Sequence, residues 1–350
     1  MTPTSQNRPA PASVDRRRHA RPHRRRGFSA AFGVALTAVA ATLVVPGVAD
    51  ARSGVFAPPR VAIDARAIDA ASVMAERAAS SRRASLALLD SLRGRSRKLR
   101  AHFVAPKRAA GIPILREMFG DSAISKPGVY AAADTTLGSP FSFITMRPFS
   151  DKVGGRIGSY RIGFFPEERR GARSTSYVNP EGFLEVTADN QLTAVSEHFR
   201  LADFLTHDQE RVWPKYLVLR EPLIDKLELV IAELKSMGVN VRGMKVMSGF
   251  RTPQYNAQGV GAGGRAKDSR HQYGDAADVY VVNGTRDWMS DLNRDGRVDT
   301  RDAKVLAMAA ERVEAKNPDL VGGIGIYKAT SAHGPFVHID VRGNRARWGE

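Results

Sequence analysis

The chain has 350 residues, no cysteine and a formal charge of +17. That length suits one or two domains, and the missing cysteines exclude disulfides, thiolate metal sites and cysteine nucleophiles together. The charge is uneven: residues 1–51 hold eight arginines against two aspartates, residues 52–115 hold 13 basic residues against four acidic ones, and the remainder 32 against 30. A nearly neutral body argues against a nucleic-acid partner despite the basic total.

Arg16 to Arg26 is a basic run, Phe28 through Val48 is apolar, and Ala49-Asp50-Ala51 has the small-x-small form of a cleavage site. Together they predict a signal peptide over residues 1–51 and export to the periplasm or cell exterior. Arg25-Arg26-Gly27-Phe28 stands where a twin-arginine signal stands, so the general secretory and twin-arginine routes both remain open. The cleavage site predicts no stable membrane span in the mature form.

Residues 52–120 read as a basic linker and helical segment. Pro58-Pro59 mark the linker, and Val73, Ala84, Leu88 and Leu92 form an apolar stripe at helical spacing. Residues 121–192 change texture, with Pro127-Gly128 and Asn179-Pro180-Glu181-Gly182 as turn signals. Short strands are expected over 158–165 and 183–187, making a small β-rich module. From Thr193 to the end the pattern mixes helix and strand. Pro222 opens a helix that Gly238 closes, and strands are expected around 246–247, 279–282, 323–327 and 336–341. The fold class predicted is α+β: a small, mostly antiparallel sheet with flanking helices over 193–350, preceded by the β-rich module.

Residues 291–302 fit a twelve-residue calcium loop. Asp291, Asn293, Asp295, Asp299 and Asp302 fall at positions one, three, five, nine and twelve. Gly296 takes the sharp turn at six, Arg297 offers its backbone carbonyl, and Val298 is expected to pack inward. A helix over 303–315 follows. The loop predicts a structural Ca2+ in an insertion between the two segments described next.

Those segments carry metal-ligating residue types. In Ser269 to Asp278, His271 and Asp278 are joined by a loop whose Gly274, Ala276 and Ala277 leave room for both side chains to converge. In Phe336-Val-His-Ile-Asp340, strand alternation puts His338 and Asp340 on one face. Two imidazoles and one carboxylate leave a fourth position open, as catalytic rather than structural zinc requires. Ser248-Gly-Phe-Arg251 follows a strand and places a guanidinium suited to a carboxylate or a developing oxyanion.

His-x6-Asp with its inner Gly-x-Ala-x-Asp, the preceding Ser-Gly-Phe-Arg-Thr-Pro and the trailing Phe-Val-His-Ile-Asp resemble the zinc D-Ala-D-Ala carboxypeptidase family. That family includes the vancomycin-resistance D,D-dipeptidases and several phage peptidoglycan endolysins. The resemblance covers roughly residues 193–349. It implies a zinc metallopeptidase acting on peptidoglycan stem peptides or cross-bridges, as D,D-carboxypeptidase or endopeptidase. It further implies His271, Asp278 and His338 as Zn2+ ligands, Arg251 as a catalytic or substrate-holding group, and Ser269 as a substrate or supporting contact. Many members carry an acid three positions before the last ligand, where this chain has Pro335. Asp340 is then a candidate general base, with His333 as another; Asp340 could equally orient a ligand imidazole. The alternative expectation is a non-catalytic wall-binding module that keeps the fold and metal.

Overall fold

A computed structural model of the chain describes residues 65–109, 111–112, 115–116, 119–132, 141–171, 174–261 and 264–349. The expected signal peptide and the Pro58-Pro59 linker lie outside the described residues. The first element is helix α1, Ala65–Ser91. Its predicted stripe is largely in solvent, with Val73 and Leu88 exposed, and it is Leu89 that enters a core with Val104, Phe141 and Phe143.

Strand β1, Ala101–Val104, comes next. It was not foreseen in a segment read as linker and helix. It pairs in parallel with β3, Phe141–Thr145, which also pairs antiparallel with β2, Gly128–Ala132. Strand β4, Arg147–Pro148, and the two-residue hairpin of β5, Arg156–Ile157, and β6, Tyr160–Arg161, follow. The strand expected over 158–165 is thus mostly turn, because Gly158 and Gly163 hold positive φ and break its extension. Strand β7, Gly182–Val186, then pairs with both β4 and β8, Lys215–Leu217.

Helix α2, Glu221–Ser236, begins with Pro222 inside its first turn and is followed by Gly238 at φ 76°. Leu223, Leu227, Val230, Ile231 and Leu234 turn inward as their spacing predicts. Strands β9, Gly243–Ser248, and β10, Ala276–Val282, precede helix α3, Thr300–Lys316. Strands β11, Gly323–Tyr327, β12, Phe336–Asp340, and β13, Ala346–Gly349, complete a five-stranded sheet in the order β13-β11-β12-β10-β9. All neighbours are antiparallel except β11 and β13. The sequence placed the last strand at 336–341, so β13 and its parallel pairing are additions.

The architecture is mixed α and β with small sheets, consistent with α+β. Helix α3 packs on α2 and lies across β11 and β12. Ala277, Val279, Val337 and Ile339 alternate toward the apolar interior, joining Leu306, Ala310 and Val313. That alternation sends Asp278, His338 and Asp340 to the other face. The described helices include none long and apolar enough to cross a membrane.

The expected boundary at 192/193 does not separate two cores. Strand β8 pairs with β7 across it, and one buried cluster runs from Leu99 through Phe165 and Phe183 to Ile339. The described residues gather into one unit.

Candidate metal centre

Strand register does most of the positioning. Asp278 on β10 stands directly opposite His338 on β12, so their side chains meet on one face of the sheet. On its other edge Asp278 faces Ser248, and the β9–β10 register slips between Asp278 and Val279. A bulge of this kind bends the strand and re-aims a side chain. His271 arrives on a short 3-10 turn, Arg270–Tyr273, that Gly274 ends in the left-handed conformation at φ 65°. A Cβ on Gly274 would lie 2.3 Å from the Val218 carbonyl oxygen, so only glycine fits there. Arg270 and Asp275, both buried, form an ion pair across this turn, and Arg270 also donates to the Ser176 carbonyl at 2.6 Å.

The three side chains converge. Asp278 Oδ1 is 2.9 Å from His338 Nδ1 and 3.3 Å from His271 Nε2, and the two nitrogens are 3.1 Å apart. The other nitrogen of each ring is occupied. His271 Nδ1 donates to the Gly249 carbonyl at 2.7 Å, and His338 Nε2 donates to Asp340 Oδ2 at 3.1 Å. In the neutral rings these partners favour the tautomers that leave Nε2 of His271 and Nδ1 of His338 as acceptors. Two imine nitrogens and a carboxylate oxygen thus lie within 4.8 Å of one another in a buried place. A single proton can bridge two such lone pairs but not three, whereas one cation satisfies all of them. The residues fit a metal ion, and they form the one such group found among the described residues.

Electrostatics follow the same arrangement. Burial holds the His271 imidazole below its usual value. For Asp278, burial pushes upward, but His271 and His338 overcome it and hold the carboxyl well below the carboxylate range. Burial also opposes charge on His338, yet the bonds that its protonated ring donates to Asp278 and Asp340 raise it above its usual value. Asp340 is held low by His338 and Arg342 against its burial.

Asp340 touches His338 across the ring from the converging atoms. Its oxygens also accept from Arg342 at Nε, 2.9 Å, and from the Gly323 N–H at 2.7 Å. It is fully buried, and the Lys226 ammonium holds its backbone carbonyl at 2.7 Å. Of the two roles the sequence left open, this is the geometry of an orienting group.

Arg251 comes from the turn after β9, with its N–H donating to the His271 carbonyl at 3.1 Å. Its guanidinium is bound to Ser248 Oγ at 2.8 Å and ion-paired with Asp278 Oδ2. Arg251, Ser269, His333 and the three converging residues all line one cavity of about 970 Å3. His333 donates from Nδ1 to the Gly334 carbonyl at 2.9 Å and stacks edgewise on Phe336.

Several wall residues were not foreseen. Trp348 on β13 lies 5.1 Å from the His338 ring and donates from Nε1 to the Tyr327 hydroxyl at 2.8 Å. Its signal was present in β11: Gly323 and Gly325 alternate on one face, where a Cβ would meet the Trp348 indole at 2.8 and 2.3 Å. Two absent side chains at strand spacing make the bed for a large ring. Tyr177, from the β-rich region, forms another wall and packs on Tyr273 at 5.4 Å.

In the 291–302 segment the acidic side chains are engaged by the chain's own donors. Asp291 accepts from the Arg294 and Gly296 N–H groups, and Asp295 from that of Arg297. Asp299 and Asp302 form a capping box on α3, which therefore starts at Thr300 rather than 303. Arg301 pairs with Asp295 and Asp299 at 2.7 and 2.8 Å. Asn293 bonds Asp295 through its amide, and Val298, expected inside, is 38% exposed. The calcium expectation, including a ligand carbonyl from Arg297, gains no support from this arrangement.

Compared with models of known protein families, with curated proteins and with solved structures, the chain matches none.

Proposed function

We propose that the chain is a zinc-dependent peptidase acting on D-amino-acid-containing peptides of peptidoglycan, exported to the cell envelope. The observation that carries this reading is the convergence of His271, Asp278 and His338 on the wall of a cavity that also holds Arg251. Three ligands leave coordination positions free, and the two-imidazole, one-carboxylate set suits zinc. Zinc held there would act as a Lewis acid on the scissile carbonyl and acidify the attacking water.

The chain's own groups supply the rest. The Gly249 carbonyl and Asp340 fix the two imidazoles in the tautomers that face Asp278. Arg251 is held by Ser248 and Asp278 through Nε and Nη2, which leaves Nη1 for a substrate carboxylate or the carbonyl oxygen as it gains charge. Asp340 is committed to His338, Arg342 and Gly323, so the proton from water falls to His333, which lines the same cavity. His333 would take it at Nε2 and return it to the leaving amine. Ser269, on the cavity wall beside His271, is assigned a substrate contact.

The test is hydrolysis of purified peptidoglycan fragments by the protein with and without chelator, beside His271→Ala. Cleavage that is lost to chelator, restored by Zn2+ and absent in the variant is expected, and the released product names the bond. Folded, zinc-loaded protein that cuts no fragment in a broad panel would favour the wall-binding module, the reading to which Pro335 in place of the usual acid lends weight.

A further inference from the structure

The cavity is lined by six cations, Arg251, Arg265, Lys267, Arg270, Lys328 and Arg342, against two carboxylates, Asp268 and Asp278. Their charges are not equally available. Arg251 is paired with Asp278, Arg270 with Asp275 and Arg342 with Asp340, while Asp268 is paired with Arg170 at 2.6 Å. Arg265 lies over the Tyr255 ring at 4.1 Å and donates to the Tyr255 carbonyl at 2.6 Å, so it is fixed but has no carboxylate among the described residues. Lys267 and Lys328 are exposed and likewise have no carboxylate partner among those residues.

Their mounting is firm. The Lys267 carbonyl accepts from Gln272 Nε2 at 3.0 Å and from Asn256 Nδ2 at 3.4 Å, which pins the backbone beneath that ammonium. Lys328 directly follows β11, whose last residue, Tyr327, stacks on Phe336 at 4.6 Å. From residue 116 onward the chain holds 32 basic and 30 acidic residues, so unmatched positive charge at this cavity is a local concentration. A cleft lined by one sign of charge raises the local concentration of ligands of the other sign.

We infer that the cleft takes an acidic peptide, one with free carboxylates beyond the group that reaches Arg251, and that Lys267 and Lys328 are specificity-determining residues for it. A long polyanion would need a basic track extending past the cavity, whereas these unmatched cations line the cavity itself. The inference rests on the peptidase reading for its chemistry, but the charge preference is measured by binding alone.

The probes are two fluorescein-labelled pentapeptides ending in two D-alanines, one with two glutamates before them and its twin with two glutamines. Fluorescence anisotropy with the zinc-loaded full chain is expected to give about fivefold tighter binding of the glutamate peptide, the scale of two rim ion pairs. A Lys267→Gln, Lys328→Gln double variant, with its thermal midpoint unchanged, should lose that preference while binding the glutamine twin as before. Salt at about 0.5 M should erase the preference in the parent. Equal binding of both peptides by the parent, or an undiminished preference in the double variant, would overturn the inference. Selective binding without cleavage of either peptide upholds it and removes the peptidase reading; cleavage of both peptides with equal binding does the reverse.

Discussion

His338 is turned to face Asp278 through Nδ1 by what holds its Nε2, and so the residue that decides the geometry of this centre is Asp340. Asp340→Asn keeps the volume but weakens acceptance from Arg342 and His338. Titration calorimetry with Zn2+ should then show affinity lower by about 10–100-fold, the usual cost of removing such a partner. His333→Ala should leave that affinity unchanged and abolish hydrolysis, a split that separates proton carrier from orienting group. The same carboxylate sets an acid limit on the metal-free fold. Its folded value is depressed below the unfolded value of about 3.9. Its stabilising contribution is therefore full above that value and is lost as pH falls from there toward the folded one. Urea unfolding between about pH 5 and pH 2 should show a shallower fall in stability for Asp340→Asn than for the parent.

At the scale of elements, the site depends on two places where a strand departs from regularity. The β9–β10 slip after Asp278 and the left-handed Gly274 before β10 set the two ends of the His271–Asp278 loop. Gly274→Ala combines an unfavourable φ with a Cβ against the Val218 carbonyl. It should lower the thermal midpoint, at a cost of about 1–3 kcal/mol, and weaken Zn2+ binding with it. Much of this was legible: the segments around His271, Asp278 and His338, the strand spacing of His338 and Asp340, and the proline and glycine that bracket α2. The bulge was not, because it arises from register between β9 and β10 and has no residue signature of its own. Asp299 and Asp302 carry a related ambiguity. A capping box and the end of a calcium loop ask for the same acids at the same spacing, so the sequence pattern alone does not separate them.

Across the whole chain, the boundary expected at 192 follows a change in composition, yet strand pairing ignores composition. Fragment 193–350 would expose the edge of β8 and strip Tyr177 and Ser176 from the Arg270 turn. It should give no cooperative unfolding transition by circular dichroism, whereas the chain from residue 63 onward should give one. The aromatic packing of Phe165 and Tyr177 on Tyr273 was invisible for the same reason, since those partners are about a hundred positions apart. The strand register that sets Asp278 beside His338 also has an entropic meaning. The two residues are 60 positions apart, and the segment between them contains α3 and β11. A cation gripped by both ties off that loop in a chain with no cysteine to do so. Closing a loop of that length costs an unfolded polymer on the order of 3–4 kcal/mol, so the ion would act as a removable cross-link, and chelation would return to the chain the freedom that a reductant returns to a disulfide-bonded protein.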